Sequence, residues 1–61
     1  MSERRLIRDE DVARLCDIHV QTVRRWRREG IGPPFLRIGR TIRYDQAEVE
    51  KWLDEQREGN G

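Results

Sequence analysis

The sequence predicts a small α+β domain, mostly α, with two short N-terminal helices, a β-hairpin and a C-terminal helix. Apolar residues recur at helical spacing in three stretches, and two alternating runs meet at a glycine. A cluster of Gly and Pro separates the second helix from those runs. With 61 residues, the chain is near the lower limit for a domain that folds unaided. We assign residues 1–58 to one domain and residues 59–61 to a frayed tail.

The first helix is predicted from the acidic run at residues 9–11. Acids in a first turn suit the positive end of the helix dipole, and Asp9 can cap the helix. Apolar residues then recur at helical spacing from Val12 to Cys16, which predicts about two turns. Asp17 falls where this helix should stop, and Asp tolerates the left-handed conformation that a tight turn needs.

The second helix is predicted from about Val20 to Glu29, with His19 at the cap position and Gly30 at its end. Projected at about 100° per residue, its apolar residues Val20, Val23 and Trp26 fall on one side. The opposite side is polar and nearly all cationic, and consists of Gln21, Arg24, Arg25 and Arg28.

The hairpin is predicted from two alternating runs that follow the loop at residues 30–34 and join at Gly39. Alternation places successive side chains on opposite faces of a strand. On that basis the inward face holds Leu36, Ile38, Ile42 and Tyr44, and the outward face holds Phe35, Arg37, Thr41 and Arg43. Phe35 is expected to wrap around the strand end.

The third helix is predicted to begin at an acidic capping box at residues 45–48 and to continue to about Arg57. Val49, Trp52 and Leu53 follow at i, i+3 and i+4, so they form its apolar stripe. We expect Trp26 and Trp52 to pack in the core, although aromatic rings can also stack on bases. The other large core side chains are expected to be Leu6, Ile7, Val12, Leu15, Ile18, Val20, Val23, Phe35, Leu36, Ile38, Ile42, Tyr44, Val49 and Leu53.

Positive charge is concentrated in the middle of the chain. Residues 20–44 hold seven arginines and one acid, whereas residues 45–61 hold six acids and two bases. The net charge is only +1, so this asymmetry is what indicates a surface for a polyanion. Twelve of the 13 basic residues are Arg, whose planar fork matches phosphate oxygens and the guanine edge. Codon bias from a GC-rich genome is an alternative explanation for the arginine content.

Two short helices joined by a tight turn, the second of them basic, predict a helix-turn-helix that binds double-stranded DNA. Such a second helix commonly enters the major groove and reads base edges. Gln21 and Arg24 can reach bases, and Thr22 can contact a phosphate or a thymine methyl. Arg25 and Arg28 are expected to bind phosphates. The alternative is that these arginines form only a solvated helix face.

The hairpin is a second basic element, and we interpret it as a wing. Arg37 and Arg43 are expected on its outer face, with Arg40 at its tip and Thr41 beside it. A narrow cationic ribbon next to a recognition helix can reach phosphates or a neighbouring minor groove. The alternative is that these arginines serve solubility alone.

Catalysis is not expected, because the sequence offers no grouping of an acid, a histidine and a nucleophile. The single His19 and single Cys16 cannot form a metal site with other His or Cys residues, and no cofactor is expected. We expect Cys16 to be a small buried apolar residue. No apolar run is long enough for a membrane span or signal peptide, so we expect a cytoplasmic protein.

From about Leu6 to Leu53, the chain resembles the small excisionase and AlpA-like helix-turn-helix proteins of the MerR-like winged-helix group. The individual motifs are short, and their order and spacing carry the resemblance. Asp17 stands where a turn glycine is common, and His19 where Ser or Thr usually caps. The matching motifs are Val12-Ala13, Thr22-Val23-Arg24-Arg25-Trp26, Gly32-Pro33-Pro34-Phe35, Ile38-Gly39-Arg40, Arg43-Tyr44 and Glu48-Val49-Glu50-Lys51-Trp52-Leu53.

The resemblance implies a winged helix-turn-helix in a bacterial cell or the bacterial host of a phage. It implies a protein that either assists an integrase in excision or regulates transcription. Our first interpretation is an excisionase, or recombination directionality factor, whose copies bind neighbouring repeats cooperatively, bend DNA and assist an integrase. Head-to-tail self-association through the acidic third helix, or contact of that helix with the integrase, would fit this role. The alternative for the third helix is a solvated face that contacts no protein. The alternatives for the function are a small transcriptional regulator on the same fold and an adaptor that binds an acidic protein.

Overall fold

The computed structural model describes residues 4–57. The predicted tail at residues 59–61 lies outside this range. Within residues 4–57, three helices and three strands follow one another. They are β1 (Leu6–Ile7), α1 (Asp9–Cys16), α2 (Val20–Glu29), β2 (Leu36–Ile38), β3 (Thr41–Asp45) and α3 (Gln46–Glu55).

The turn between α1 and α2 has the predicted local chemistry. Asp17 adopts the left-handed conformation at φ 58°, and its N–H donates to the carbonyl of Arg14 at 3.2 Å. His19 caps α2, because its Nδ1 accepts a hydrogen bond from the N–H of Gln21 at 3.1 Å. Both predictions are confirmed, and together they fix where α2 begins.

The start of α1 differs from the prediction that Asp9 caps it. Arg8 is the cap residue, and its N–H donates to Oδ2 of Asp11 at 3.0 Å. Asp9 is the first helical residue. Because Asp11 satisfies the exposed N–H at this end, the carboxylate of Asp9 is available for contacts with α2.

The loop after α2 requires two glycines. Gly30 ends the helix at φ 76°, as predicted. Gly32 has φ 91°, and a Cβ added there would lie 3.0 Å from both Cβ and Cε3 of Trp26. Because glycine has no Cβ, the loop can pack directly on the ring of Trp26.

The hairpin forms as predicted, with a two-residue turn in which Gly39 has φ 63°. The register pairs Leu36 with Arg43 and Arg37 with Ile42. Directly paired residues lie on the same face of a sheet. The inward residues of β3 have even numbers, and a two-residue turn gives the residues paired with them in β2 odd numbers. The predicted faces are therefore wrong for β2.

One face of the hairpin carries Tyr44, and Phe35 lies on this side, with ring centroids 6.1 Å apart. Phe35, which was expected to wrap around the strand end, therefore has its ring on the inward side and not on the side given by its outward parity. Ile38, expected to point inward, lies on the opposite face and is 51% exposed.

β1 was not predicted, because two residues are too few to show alternation. It pairs antiparallel with β3, with Leu6 opposite Asp45 and Ile7 opposite Tyr44. The sheet order is β1-β3-β2, so β3 lies in the centre. α3 follows β3 directly and is capped by Asp45, whose Oδ1 accepts from the N–H of Ala47 at 3.0 Å.

The core lies where α1, α2, α3, β1 and β3 meet. It is smaller than predicted, since a chain of this length can enclose few side chains. Five side chains that were expected in it are exposed: Leu6, Leu15, Phe35, Ile38 and Leu53. The buried core consists of Ile7, Val12, Ala13, Val23, Tyr44 and Val49.

Trp26 and Trp52 are half-buried and pack against each other at the edge of this core. Their ring centroids are 5.4 Å apart and the rings are tilted by 58°. Edge-to-face and tilted aromatic pairs stabilise a fold by more than the burial of their apolar area alone would. The two rings join α2 to α3.

Candidate nucleic-acid interface

The predicted DNA-contacting side chains of α2 differ in how freely they are exposed. Gln21, Arg25 and Arg28 are exposed, and Thr22 is half-buried. These side chains lie on α2 directly after the turn at Asp17 and the cap at His19. The point at which α2 begins therefore sets where they lie on the helix surface. Contact of these residues with DNA stays a prediction.

Arg24 lies between α2 and the start of α1. Its Nε donates to Oδ2 of Asp9 at 3.2 Å, and its Nη2 lies 3.5 Å from Oε2 of Glu10. The side chain is 38% exposed. The predicted base-reading arginine is therefore held by two acids of α1.

Arg27 is a structural residue whose contacts were not predicted from the sequence. Its Nη1 donates to Oδ1 of Asp9 at 2.8 Å and to the hydroxyl of Tyr44 at 3.2 Å. Its guanidinium lies 6.0 Å from the ring centroid of Phe35. Arg27 thus links α2 to α1 and to the hairpin.

The protonation states of Asp9, Arg27 and Tyr44 follow from their contacts. Partial burial pushes the pKa of Asp9 upward, but hydrogen bonds from Arg27 and Arg24 outweigh it and hold the pKa below its ordinary value. The hydrogen bond with Asp9 raises the pKa of Arg27. Burial raises the pKa of Tyr44. At neutral pH Asp9 and Arg27 therefore form a charged pair beside the neutral phenol of Tyr44.

The spacing along α2 held a signal for the role of Arg27. It lies four residues after Val23 and seven after Val20, which is the spacing of the apolar face. A cation on such a face needs a buried partner. That this partner is Asp9 depends on how α1 packs against α2, so the partner could not be predicted from the sequence.

The cationic side chains of the hairpin do not share one face. Arg37 is paired with Ile42, whereas Arg43 is paired with Leu36 on the other face. The prediction that Arg37 and Arg43 project together is wrong, for the same reason of register. Arg40 and Thr41 are exposed at and beside the turn, and Nη1 of Arg43 donates to the carbonyl of Ile42 at 2.8 Å.

Two other kinds of feature are absent from residues 4–57. No group of three or more His, Cys, Asp or Glu side chains there could hold a metal ion. No helix in the same range is long and apolar enough to cross a membrane.

Comparison with known proteins gives one family. A sequence-family model described as "Helix-turn-helix domain" matches residues 5–57. That range covers most of the chain, and includes every predicted DNA-contacting residue. No curated protein matches the chain, and no solved structure matches it.

Proposed function

We propose that this chain, which belongs to the helix-turn-helix domain family, binds double-stranded DNA sequence-specifically through α2 in the major groove. One observation carries the proposal: α2 follows a tight left-handed turn and exposes an amide and arginines on one face. A helix presented in this way suits the width of the major groove.

The side chains of α2 divide into two roles. Gln21 and Arg24 would read base edges, since Gln pairs bidentately with adenine and Arg with guanine. Arg25 and Arg28 would bind phosphates, and Thr22 would contact a phosphate or a thymine methyl. Phosphate contacts would fix the register of the helix, and base contacts would give the specificity.

The hairpin would act as a wing, as in the MerR-like winged-helix group that the chain resembles. Its exposed turn residue Arg40 and the neighbouring Thr41 would lie along the backbone or in the minor groove. Because Arg37 and Arg43 lie on opposite faces, a single groove would be contacted by one of them. The wing would add affinity rather than base preference.

The biological role proposed is that of a phage or mobile-element excisionase in a bacterial cell, with no catalytic activity of its own. Several copies would bind neighbouring repeats cooperatively, bend the DNA and assist an integrase. The motifs described above support this role. The exposed acids of α3 would suit head-to-tail contact with a basic neighbour, and they are Glu48, Glu50, Asp54 and Glu55.

The test is a titration on DNA that flanks the protein's own gene and on a scrambled duplex, at several salt concentrations. Stepwise, cooperative shifts confined to the native DNA are expected, with affinity that falls steeply as salt rises. Single-step binding at a site that overlaps a promoter would favour a transcriptional regulator instead. Binding to neither duplex at low salt would contradict the DNA-binding proposal and favour an acidic protein partner.

A further inference from the structure

We propose that Asp9 and Glu10 are positioning residues that orient Arg24 toward one guanine and keep it from binding phosphates. This inference rests on the proposed entry of α2 into the major groove. It concerns the specificity of binding, and assigns a function to two acids that the proposed function leaves unused.

The contacts of Arg24 occupy one edge of its guanidinium. Nε and Nη2 form the side edge of the planar group, and these atoms face Asp9 and Glu10. The outer edge, formed by Nη1 and the second hydrogen of Nη2, can still make a bidentate contact. A guanine offers O6 and N7 to such an edge.

Asp9 is held firmly enough to orient another side chain. Both of its carboxylate oxygens accept hydrogen bonds from Arg27, at 2.8 and 3.4 Å. Arg27 in turn donates to Tyr44, which is almost fully buried in β3. The carboxylate that meets Arg24 is therefore fixed by the core of the domain, and its side chain is only 16% exposed.

Glu10 adds a second effect. Its side chain is 57% exposed, so it places a negative charge beside the helix that would meet the DNA. A negative charge there repels phosphates of every sequence. The two acids together would weaken binding to random DNA while they preserve the contact with guanine.

Simple competition makes a different prediction. If Asp9 and Glu10 merely compete with DNA for Arg24, removing one acid strengthens binding to all duplexes equally. If they orient Arg24, removing one acid lowers the discrimination between a guanine and another base. The ratio of affinities therefore distinguishes the two effects.

The experiment begins with selection of binding sites by the full-length protein from duplexes with a randomised centre. The Arg24→Ala variant identifies the base pair at which preference is lost. Wild-type protein and the Glu10→Gln variant are then titrated against the selected duplex and against one with that base pair changed. One bidentate contact gives roughly five- to 150-fold discrimination, and Glu10→Gln is expected to reduce it by roughly threefold or more.

A second readout is the salt dependence of binding to random-sequence DNA. In Glu10→Gln, Arg24 gains freedom to bind a phosphate, so the magnitude of the slope is expected to rise by up to about one counterion. The matched control is Glu29→Gln, which removes the same charge from an exposed position on α2. It is expected to leave the discrimination ratio unchanged.

An unchanged or increased ratio in Glu10→Gln would overturn the inference. So would a selected site at which Arg24→Ala relaxes no position, although the proposed DNA binding would then survive. If wild-type protein selects no sequence and binds no duplex, the proposed function itself fails.

Discussion

Asp9 is the residue at which α1 meets both Arg24 and Arg27 of α2. In Asp9→Asn the shape is kept and the charge is lost, which leaves two arginines with a weaker partner. Hydrogen bonds to charged groups contribute about 1.5–3 kcal/mol, so we expect the free energy of unfolding to fall by about 1–3 kcal/mol in urea denaturation. The control is Asp54→Asn, in an exposed pair with Arg57 at 3.9 Å, which is expected to change stability little.

The pH dependence of stability gives a second check on Asp9. Its pKa is lower in the folded protein than in the unfolded chain, so its contribution is complete above about pH 4 and is lost as pH falls through the folded pKa. The difference in stability between wild-type protein and Asp9→Asn is expected to shrink in that acidic range. A difference that stays constant from neutral pH to about pH 3 would show that this ion pair does not stabilise the fold.

At the scale of elements, a variant in the hairpin distinguishes the contribution of the hairpin to DNA binding from that of α2. Arg40 lies exposed at the turn, and its proposed contact is a phosphate. Arg40→Ala is expected to weaken binding to all sequences alike and to lower the magnitude of the salt slope by about 1. Binding and salt dependence unchanged in Arg40→Ala would contradict the wing assignment.

The matched variant on α2 is Arg24→Ala. It removes a cation of the same type, but one proposed to read a base. It is expected to cost about 1–3 kcal/mol of binding free energy at the selected site and to relax preference at one base pair. Comparison of the two variants on selected and random duplexes therefore tests the division of roles between α2 and the hairpin.

The sequence predicted those features that depend on neighbours along the chain. The left-handed turn at Asp17, the cap at His19 and the end of α2 at Gly30 are local, and the structure confirms them. The faces of β2 depend on register, which the alternation of residues cannot supply across a two-residue turn. β1 is stabilised by pairing with a distant strand, so its two residues carry no signal of their own.

The candidate site was predictable to a similar extent. The cationic face of α2 follows from helical spacing alone. The ion pairs of Arg24 and Arg27 with Asp9 join residues 15 and 18 positions apart. Such contacts follow from how α1 packs on α2, and residue spacing does not specify that packing.

At the scale of the whole molecule, the net charge of +1 conceals two regions of opposite sign. The middle of the chain is rich in arginine, and the exposed side of α3 is mainly acidic. Exposed charges act over about 10 Å at ordinary salt. A polyanion is therefore expected to approach the arginine-rich surface and to avoid α3.

The most direct test of this account is to follow the backbone amide signals of the protein by NMR during titration with a duplex selected from a randomised pool. The account predicts shifts concentrated in the first turns of α2 and at the hairpin turn, with α3 little affected. Shifts confined to α3, with α2 unchanged, would contradict the claim that α2 binds DNA.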